Sequence, residues 1–495
     1  MNANAQPIAN ANSPEQLLAG VPTDLWIGGR WRAAADGARF EVEDPATERA
    51  VASVASATVE DCISALDAAQ AAFGAWSTKT PRARGEILRR AFELIMRDAE
   101  RLARIVTLEN GKSLADSRGE IAYAAEFFRW NAEEAVRIIG QSSRAPSSGA
   151  RILVNHKAAG IALLVTPWNF PAAMATRKIG PALAAGCTVV IKPASATPLT
   201  MLALMPLLQE AGVPAGVVNL VPSRASGKVV SAMLKDGRVR VISFTGSTEV
   251  GRTLLKEAAD NIVRPAMELG GNAPFIVCED ANIDEAVEGA VIAKMRNIGE
   301  ACTAANRFYV HETVADEFSR KLAAKMSALK MGNGLEDGVS VGPLVNAQTR
   351  DKVHSLVEDA RKRGARVVTG GEPGKGRGYF YPATVLTQVP PDADLVREEI
   401  FGPVAAIQTF SSEEDMLSRA NASEFGLASY VYTADLKRGL AIAEKLEAGM
   451  VGLNRGMVSD PAAPFGGVKQ SGLGREGGHE GLFEYLDTQY VSVSW

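Results

Sequence analysis

The chain has 495 residues, of which 46% are hydrophobic and 22% are charged, and its formal net charge is −4. This length and composition predict a soluble globular protein of two or three domains. The small negative charge argues against a nucleic-acid partner, which usually needs a clustered basic surface.

The cysteines and histidines give no sign of a disulfide framework or a metal site. The four cysteines lack C-x-x-C spacing, as is typical of reduced thiols in a cytosolic protein. The four histidines lie far apart, so we predict no metal. The first 29 residues contain no Lys or Arg, so no targeting segment is visible and we expect a cytoplasmic protein. The most apolar stretch, "AAGIALLVTPWNFPAAMA", is too short and polar for a membrane span.

Taken in chain order, the sequence predicts a flexible tail over residues 1–20 and helices over about 60–140. Short apolar runs then alternate with helical segments, which predicts a parallel sheet with crossover helices. These runs are Ile161–Val165, Thr188–Ile191, Val217–Val221, Val239–Phe244 and Pro274–Val277. A second α/β block follows residue 302, and "TQYVSVSW" at the C-terminus alternates like a half-exposed strand.

Polar residues follow several of these strands, at the sheet edge where ligands bind. Asn169 in "VTPWNFP" can donate to an oxyanion, or it is a turn residue. Lys192 in "VVIKPASATP" can bind an anion, or it reaches solvent. Gly246 and Ser247 open a helix that is either an anion site or simply capped. Glu268 in "ELGGNAPFIV" is either a general base or a solvated carboxylate.

Two glycine-rich stretches match nucleotide-binding patterns only superficially. "GLGREGG" contains G-x-G-x-x-G, but no apolar strand leads into it. "GGEPGKGRG" lacks the Ser or Thr that a phosphate loop has after its Lys. We interpret both as turns.

Cys302, in "NIGEACTAANRFYV", is either a small apolar packing residue or a nucleophile. The local sequence offers no histidine as a base. A thiol is already partly ionised near neutral pH, so a nucleophilic role does not require one.

Together these stretches resemble the aldehyde dehydrogenase superfamily. The matching motifs, in the family's order and spacing, are "TPWNFP", "KPA", "FTGSTEVG", "ELGGNAP", "GEACTAANR", "EEIFGPV" and "PFGGVKQSGLGREGG". The resemblance implies an aldehyde dehydrogenase-like α/β fold with three parts. These are a Rossmann-like dinucleotide-binding domain (21–140 and 160–270), an α/β catalytic domain (271–470) and a small β oligomerisation element (141–159 and 471–495).

The resemblance also implies a mechanism. Cys302 matches the nucleophile that attacks an aldehyde, while Asn169 and a backbone N–H hold the oxyanion. Loss of hydride leaves a thioester, and Glu268 activates the water that hydrolyses it. The other cysteines match no catalytic motif.

For the cofactor, the resemblance places Lys192 and Glu399 on the ribose groups and Gly246 with Ser247 near the pyrophosphate. Thr166, Trp168 and Leu269 belong to the same cleft. Ser195 stands where members that prefer NAD often carry a carboxylate, which would repel a 2′-phosphate. The expected cofactor is therefore NADP, with NAD or dual use as the alternative.

For the substrate, three residues match those that hold the distal carboxylate in succinate-semialdehyde dehydrogenases: Arg177, Arg296 and Ser459. Arginine suits this role because its planar fork binds a carboxylate bidentately. Arg455 and Pro461 depart from that pattern, so glutarate semialdehyde or another ω-carboxylated aldehyde stays open. Redox-switched relatives have a cysteine at the position of Ala304, so that switch is not expected.

Other functions also stay open at this point. The first is a CoA-acylating dehydrogenase, which would not need Glu268. The second is a Cys-dependent hydrolase or acyltransferase, which would need a base near Cys302. The third is a non-catalytic relative. The expected partners are a small-molecule aldehyde and further copies of the chain in a homodimer or homotetramer, with neither nucleic acid nor membrane.

Overall fold

The computed structural model describes residues 13–494. The helices are α1 (Pro14–Leu17), α2 (Val59–Ser77), α3 (Pro81–Arg97), α4 (Ala99–Asn110), α5 (Leu114–Glu134), α6 (Ala173–Ala185), α7 (Leu199–Ala211), α8 (Ser226–Lys235), α9 (Thr248–Ala259), α10 (Ile283–Met295), α11 (Ala315–Ser327), α12 (Ala347–Lys362), α13 (Asp394–Arg397), α14 (Glu413–Asn421), α15 (Leu436–Lys445) and α16 (Glu480–Phe483).

The strands are β1 (Leu25–Ile27), β2 (Arg30–Arg32), β3 (Arg39–Asp44), β4 (Arg49–Ala55), β5 (Gln141–Arg144), β6 (Arg151–Ala158), β7 (Ile161–Val165), β8 (Thr188–Lys192), β9 (Val218–Leu220), β10 (Val239–Thr245), β11 (Arg264–Glu268), β12 (Ala273–Val277), β13 (Ala305–His311), β14 (Arg366–Thr369), β15 (Thr384–Thr387), β16 (Val404–Phe410), β17 (Phe425–Gly426), β18 (Ala428–Tyr432), β19 (Met450–Leu453), β20 (Val468–Lys469), β21 (Gly472–Leu473) and β22 (Leu486–Val493).

The first sheet has the strand order β2-β1-β9-β8-β7-β10-β11-β21. Its central strands β9, β8, β7, β10 and β11 run parallel. They are continuous apolar runs because helices cover both faces of a parallel sheet. From β7 the chain adds β8 and β9 on one side, then returns and adds β10 and β11 on the other. The carboxyl ends of β7 and β10 therefore flank a topological switch point, where α/β sheets bind ligands.

The second sheet has the order β14-β15-β16-β13-β12-β18-β19, parallel except for the antiparallel edge pair β14–β15. Phe275 of β12 stacks on Tyr432 with ring centroids 5.0 Å apart, and Phe308 of β13 joins this core. The five apolar runs predicted as strands correspond to β7, β8, β9, β10 and β12, to within a residue at each end. The predicted α/β fold is confirmed.

A separate antiparallel sheet joins β22, β6 and β5. β22 pairs with β6 along its full length, from Leu486 opposite Ala158 to Val493 opposite Arg151. These strands lie in the segments predicted for oligomerisation, 141–159 and 471–495, and that role stays a prediction. β21 pairs with β11 of the first sheet, because the glycine at residue 472 lets the chain pass close to Met267.

Residues 1–12 of the predicted tail lie outside the described residues. The rest of that segment is packed rather than flexible: α1 is capped by Ser13, its Leu17 is buried, and Arg101 donates to the carbonyl of Ala19. Among the helices of residues 13–494, none is long and apolar enough to cross a membrane.

Candidate active site

A cavity of about 400 Å³ opens at the switch point of the first sheet. Its lining comes from the segment after β7, the segment after β10, the turn after β11 and the loop before β16. The lining residues are Pro167, Trp168, Asn169, Thr245, Gly246, Ser247, Leu269, Gly270, Cys302, Gln348, Thr349, Lys352, Glu399 and Phe401. We call this the first cavity. It brings together seven of the predicted site residues.

Three predicted cofactor residues lie beside the first cavity rather than on its lining. Lys192 is the last residue of β8, and its carbonyl accepts a hydrogen bond from the N–H of Thr166. Ser195 follows in the turn after β8 and is half-buried. Burial lowers the pKa of Lys192 to about 8. A bound anion next to Lys192 would stabilise the charged form of its side chain.

The lining of the first cavity fits a dinucleotide. The hydroxyl oxygen of Thr245 is buried there without a hydrogen-bond partner among the described residues. Helix α9 begins next to it, with Ser247 as the N-cap that accepts from the N–H of Val250, so its first turn presents free amides and a positive dipole end. Trp168 and Phe401 meet edge to face, with ring centroids 5.4 Å apart, and give the cavity an aromatic wall.

Cys302 lies in a turn directly before β13. It is half-buried, while the other three cysteines are buried. The carbonyl of Cys302 approaches Gly271 so closely that a Cβ there would lie 2.2 Å from the oxygen, which is why a glycine is needed at this position. Burial, and next the negative charge of Glu399, raise the pKa of Cys302 to about 12.

Asn169 is buried beside Cys302 on the same cavity. Its Nδ2 donates to the carbonyl of Glu300, 3.0 Å away. An amide nitrogen carries two hydrogens, so one N–H is left for another acceptor. Its Oδ1 is buried without a partner among the described residues.

Glu268 is the last residue of β11 and is 3% exposed. Neither carboxyl oxygen has a hydrogen-bond partner among the described residues. Burial, followed by repulsion from Glu476, holds the pKa of Glu268 well above its usual range. The carboxyl is near enough to Cys302 to contribute to the raised pKa of the thiol. A protonated carboxyl cannot act as a base, so Glu268 can accept a proton only in its ionised form.

A second cavity, of about 520 Å³, is lined by Phe170, the residue after Asn169. Both residues lie in the segment between β7 and α6, which we call the Asn169 loop. Arg296 and Ser459 both line this second cavity, and Arg296 Nη1 donates to Ser459 Oγ at 3.4 Å. The Arg296 guanidinium lies 4.9 Å from the Phe170 ring centroid. Asp116 is also on the lining, and burial raises its pKa.

Arg177 is the predicted substrate residue that the structure does not place on the lining of either cavity. It is fully buried in α6, with its Nε 2.9 Å from Glu476 Oε2. Its guanidinium lies 4.0 Å over the Phe465 ring. Lys178, the next residue, also pairs with Glu476. Arg177 Nη2 has no partner among the described residues.

Sequence reasoning missed several residues here. Glu476 lies in "GLGREGG", which we interpret as a turn. No sequence pattern indicates that Glu476 pairs with Arg177 and Lys178. Phe401 lies inside the quoted motif "EEIFGPV" and was available from it. Thr245 likewise lies inside the quoted motif "FTGSTEVG", whereas Gln348, Thr349 and Lys352 reach the first cavity through the fold alone. The four histidines, all within the described residues, line neither cavity.

Comparison with known proteins agrees with this geometry. The sequence pattern of the aldehyde dehydrogenase family matches residues 31–491. A succinate-semialdehyde dehydrogenase of Paenarthrobacter nicotinovorans is 56% identical over 444 residues, which cover 90% of this chain and 99% of the relative. A glutarate-semialdehyde dehydrogenase of Pseudomonas putida is 47% identical over 469 residues, which cover 95% and 97%. The crystal structure of an NADP-dependent E. coli enzyme matches with a TM-score of 0.95 and 46% identity, over 96% of this chain and 98% of that one.

Proposed function

The chain belongs to the aldehyde dehydrogenase family, and we propose that it oxidises succinate semialdehyde to succinate with NADP or NAD. The observation that carries the proposal is that Cys302 and Asn169 line the first cavity, while Phe170, the residue after Asn169, lines the second. The first cavity fits a dinucleotide, and the second offers the Arg296–Ser459 pair to a distal carboxylate.

In the proposed mechanism, the Cys302 thiol first loses its proton to water, and the thiolate Sγ then forms a bond to the aldehyde carbon as the carbon–oxygen double bond becomes a single bond. The remaining N–H of Asn169, with a backbone N–H, donates to the oxyanion that develops on the former carbonyl oxygen. The nicotinamide dinucleotide, when bound, supplies the acceptor for the aldehydic hydride. Cys302 then carries a thioester. Glu268 in its ionised form takes a proton from water, the water oxygen attacks the thioester carbon, and the carboxylate product leaves as the Cys302 sulfur is released.

Ser195 and Lys192 support NADP as the preferred cofactor. No carboxylate stands at residue 195 to repel a 2′-phosphate, and Lys192 ends the neighbouring strand. Trp168, Leu269, Gly246, Ser247 and Glu399 would form the rest of the cofactor site, as their place on the first cavity supports.

Glutarate semialdehyde is the second candidate substrate. The Pseudomonas putida relative bears that name, and Arg296 with Ser459 would bind the carboxylate of either aldehyde. A Cys-dependent hydrolase is a weaker alternative, because no histidine lines either cavity.

We further propose a homodimer or homotetramer assembled through the sheet of β5, β6 and β22, and a cytoplasmic location. Tyr490 of β22 is 60% exposed, and Ile139, just before β5, is 72% exposed. Exposed apolar side chains beside an open sheet edge are typical of an interface.

The proposal is tested by comparing kcat/KM for succinate semialdehyde, glutarate semialdehyde and propanal, each with NADP and NAD. We expect succinate semialdehyde with NADP to give the highest value. Equal values for propanal and for the carboxylated aldehydes would contradict the proposed substrate class.

A further inference from the structure

The backbone carbonyl of Asn169 is held by two buried side chains from other parts of the chain. Lys112 Nζ donates to it at 2.6 Å and Asn297 Nδ2 at 2.8 Å. Both side chains are fully buried, and neither residue lines the first cavity. They therefore hold the Asn169 loop from behind without reaching the reacting atoms.

Lys112 fixes the loop on both sides of Phe170. Its Nζ forms an ion pair with Glu120 Oε2 at 2.5 Å, with both side chains fully buried. Glu120 Oε1 accepts from the backbone N–H groups of Ala172 and Ala173, at the start of α6. Lys112 Nζ also lies 4.0 Å from the Phe170 ring centroid. Because Lys112 donates to the Asn169 carbonyl and pairs with Glu120 of α5, which itself binds the start of α6, this segment has little freedom to move.

Asn297 joins the Asn169 loop to the turn that carries Cys302. The second hydrogen of its Nδ2 goes to the carbonyl of Glu300 at 2.9 Å, the same carbonyl that accepts from Asn169 Nδ2 at 3.0 Å. Asn297 and Ile298 have φ values of 50° and 58°. Asn tolerates this left-handed region, but a β-branched residue is strained in it. The turn before Cys302 thus adopts a costly conformation that the Asn297 side chain holds in place.

We propose that Lys112 and Asn297 are positioning residues, which orient the side-chain amide of Asn169 toward the oxygen that becomes negative during attack by Cys302. The inference rests on the proposed function. Oxyanion stabilisation depends on donors fixed before the reaction, and a displacement of about 1 Å at a reacting site can cost about 100-fold in rate.

The test variant is Asn297→Asp, which keeps the shape and the tolerance for positive φ but replaces the donor with oxygens that face two carbonyls. We expect kcat for aldehyde oxidation to fall about 10- to 100-fold. The rate at which iodoacetamide alkylates Cys302 should fall much less than kcat, because alkylation forms no oxyanion. Cofactor binding should stay unchanged. A parallel loss of alkylation and of aldehyde oxidation would indicate a general distortion and would overturn the positioning role.

Asn219→Asp is the matched control. Asn219 is also fully buried, and its Nδ2 also donates to two backbone carbonyls, those of Val189 and Gly216. It lines neither cavity, so its variant should retain kcat even if its melting temperature falls. If Asn297→Asp does not fold, Asn297→Gly replaces it, because glycine suits the positive φ and buries no carboxylate.

A double-mutant cycle with Asn169→Ala separates this inference from the proposed function. If Asn297 acts through Asn169, the Asn297 variant should cost little further kcat once Asn169 is alanine. Full activity of Asn169→Ala alone would overturn the role of Asn169 and this inference with it. A slow Asn169→Ala enzyme beside an Asn297 variant of normal kcat, or fully additive losses, would overturn only the positioning role.

Discussion

The two cavities that share the Asn169 loop are built in different ways. The first is lined mainly by residues that directly follow strands, such as Asn169 after β7 and Gly246 after β10. The second is lined by side chains from α5, from the end of α10 and from the loop before β20, including Tyr123, Arg296 and Ser459. A parallel sheet gathers its strand ends at one edge, so a site of the first kind follows from topology. A site of the second kind depends on how helices and loops pack.

The cavities also differ in charge. Glu399 faces the first cavity, where burial raises its pKa to about 7. Arg296 faces the second, and among the described residues no carboxylate lies within ion-pair distance of it. Burial raises the pKa of Asp116, a carboxyl that also lines the second cavity. The second cavity is therefore the one suited to a substrate carboxylate, and variants of the two cavities should affect different parts of the reaction.

The largest effect is expected at Cys302, whose chemistry serves both cavities. Cys302→Ala should lower kcat by about 10⁴-fold or more, since the loss of a covalent nucleophile removes the main reaction path. Cofactor affinity, measured by fluorescence titration, should not change. Cys278→Ala is the control, because Cys278 directly follows β12, is buried and lines neither cavity. Substantial activity of the Cys302 variant would contradict the assignment of both cavities to one reaction.

Glu268 should affect the step after hydride loss. Glu268→Gln should lower the steady-state rate by about 10²- to 10⁴-fold, while one equivalent of cofactor is still reduced in a stopped-flow burst. Because its pKa is raised, Glu268 is protonated at low pH and becomes a base only as the pH increases. The steady-state rate of the unmodified enzyme should therefore increase with pH above the usual titration range of a glutamate. A Gln variant with normal turnover, or with the same pH dependence, would contradict this role.

Arg296 should affect only the discrimination between aldehydes. Arg296→Ala should raise KM for succinate semialdehyde about 10- to 150-fold, from the loss of a charge-assisted hydrogen bond of about 1.5–3 kcal/mol. KM for propanal and for NADP should stay constant. Arg177→Ala should differ from Arg296→Ala by lowering the melting temperature. It leaves Glu476 with Lys178 as its one ion-pair partner among the described residues. Equal losses for propanal would exclude a carboxylate-binding role for Arg296.

A substitution of Ser195 should give the smallest effect, and it should change only the cofactor preference. Ser195→Glu should shift the preference from NADP toward NAD by about tenfold, since the new carboxylate repels a 2′-phosphate and can accept from a 2′-hydroxyl. The ratio of kcat/KM for the two cofactors measures this shift. The preference among aldehydes should stay the same, and a change in it would break the separation of the cavities.

The sequence predicts strands and the residues at their ends better than it predicts contacts between distant segments. The strand positions of β7, β8, β10 and β12 were predicted from short apolar runs, and Asn169 and Gly246 followed from strand ends. Arg296 and Ser459 were predicted to meet only through the family resemblance, since 163 positions separate them in the chain. Neither the ion pair between Arg177 and Glu476 nor the contacts of Lys112 and Asn297 with Asn169 could be predicted. Such contacts depend on packing between distant segments, which local patterns do not encode.

The most direct test is intact-protein and peptide mass spectrometry of the Glu268→Gln variant, quenched in acid after mixing with NADP and succinate semialdehyde. We expect a succinyl group, in thioester linkage, on the peptide that contains Cys302 and on no other cysteine peptide. Cofactor reduction without that adduct, or acylation of Cys62, Cys187 or Cys278 instead, would contradict it.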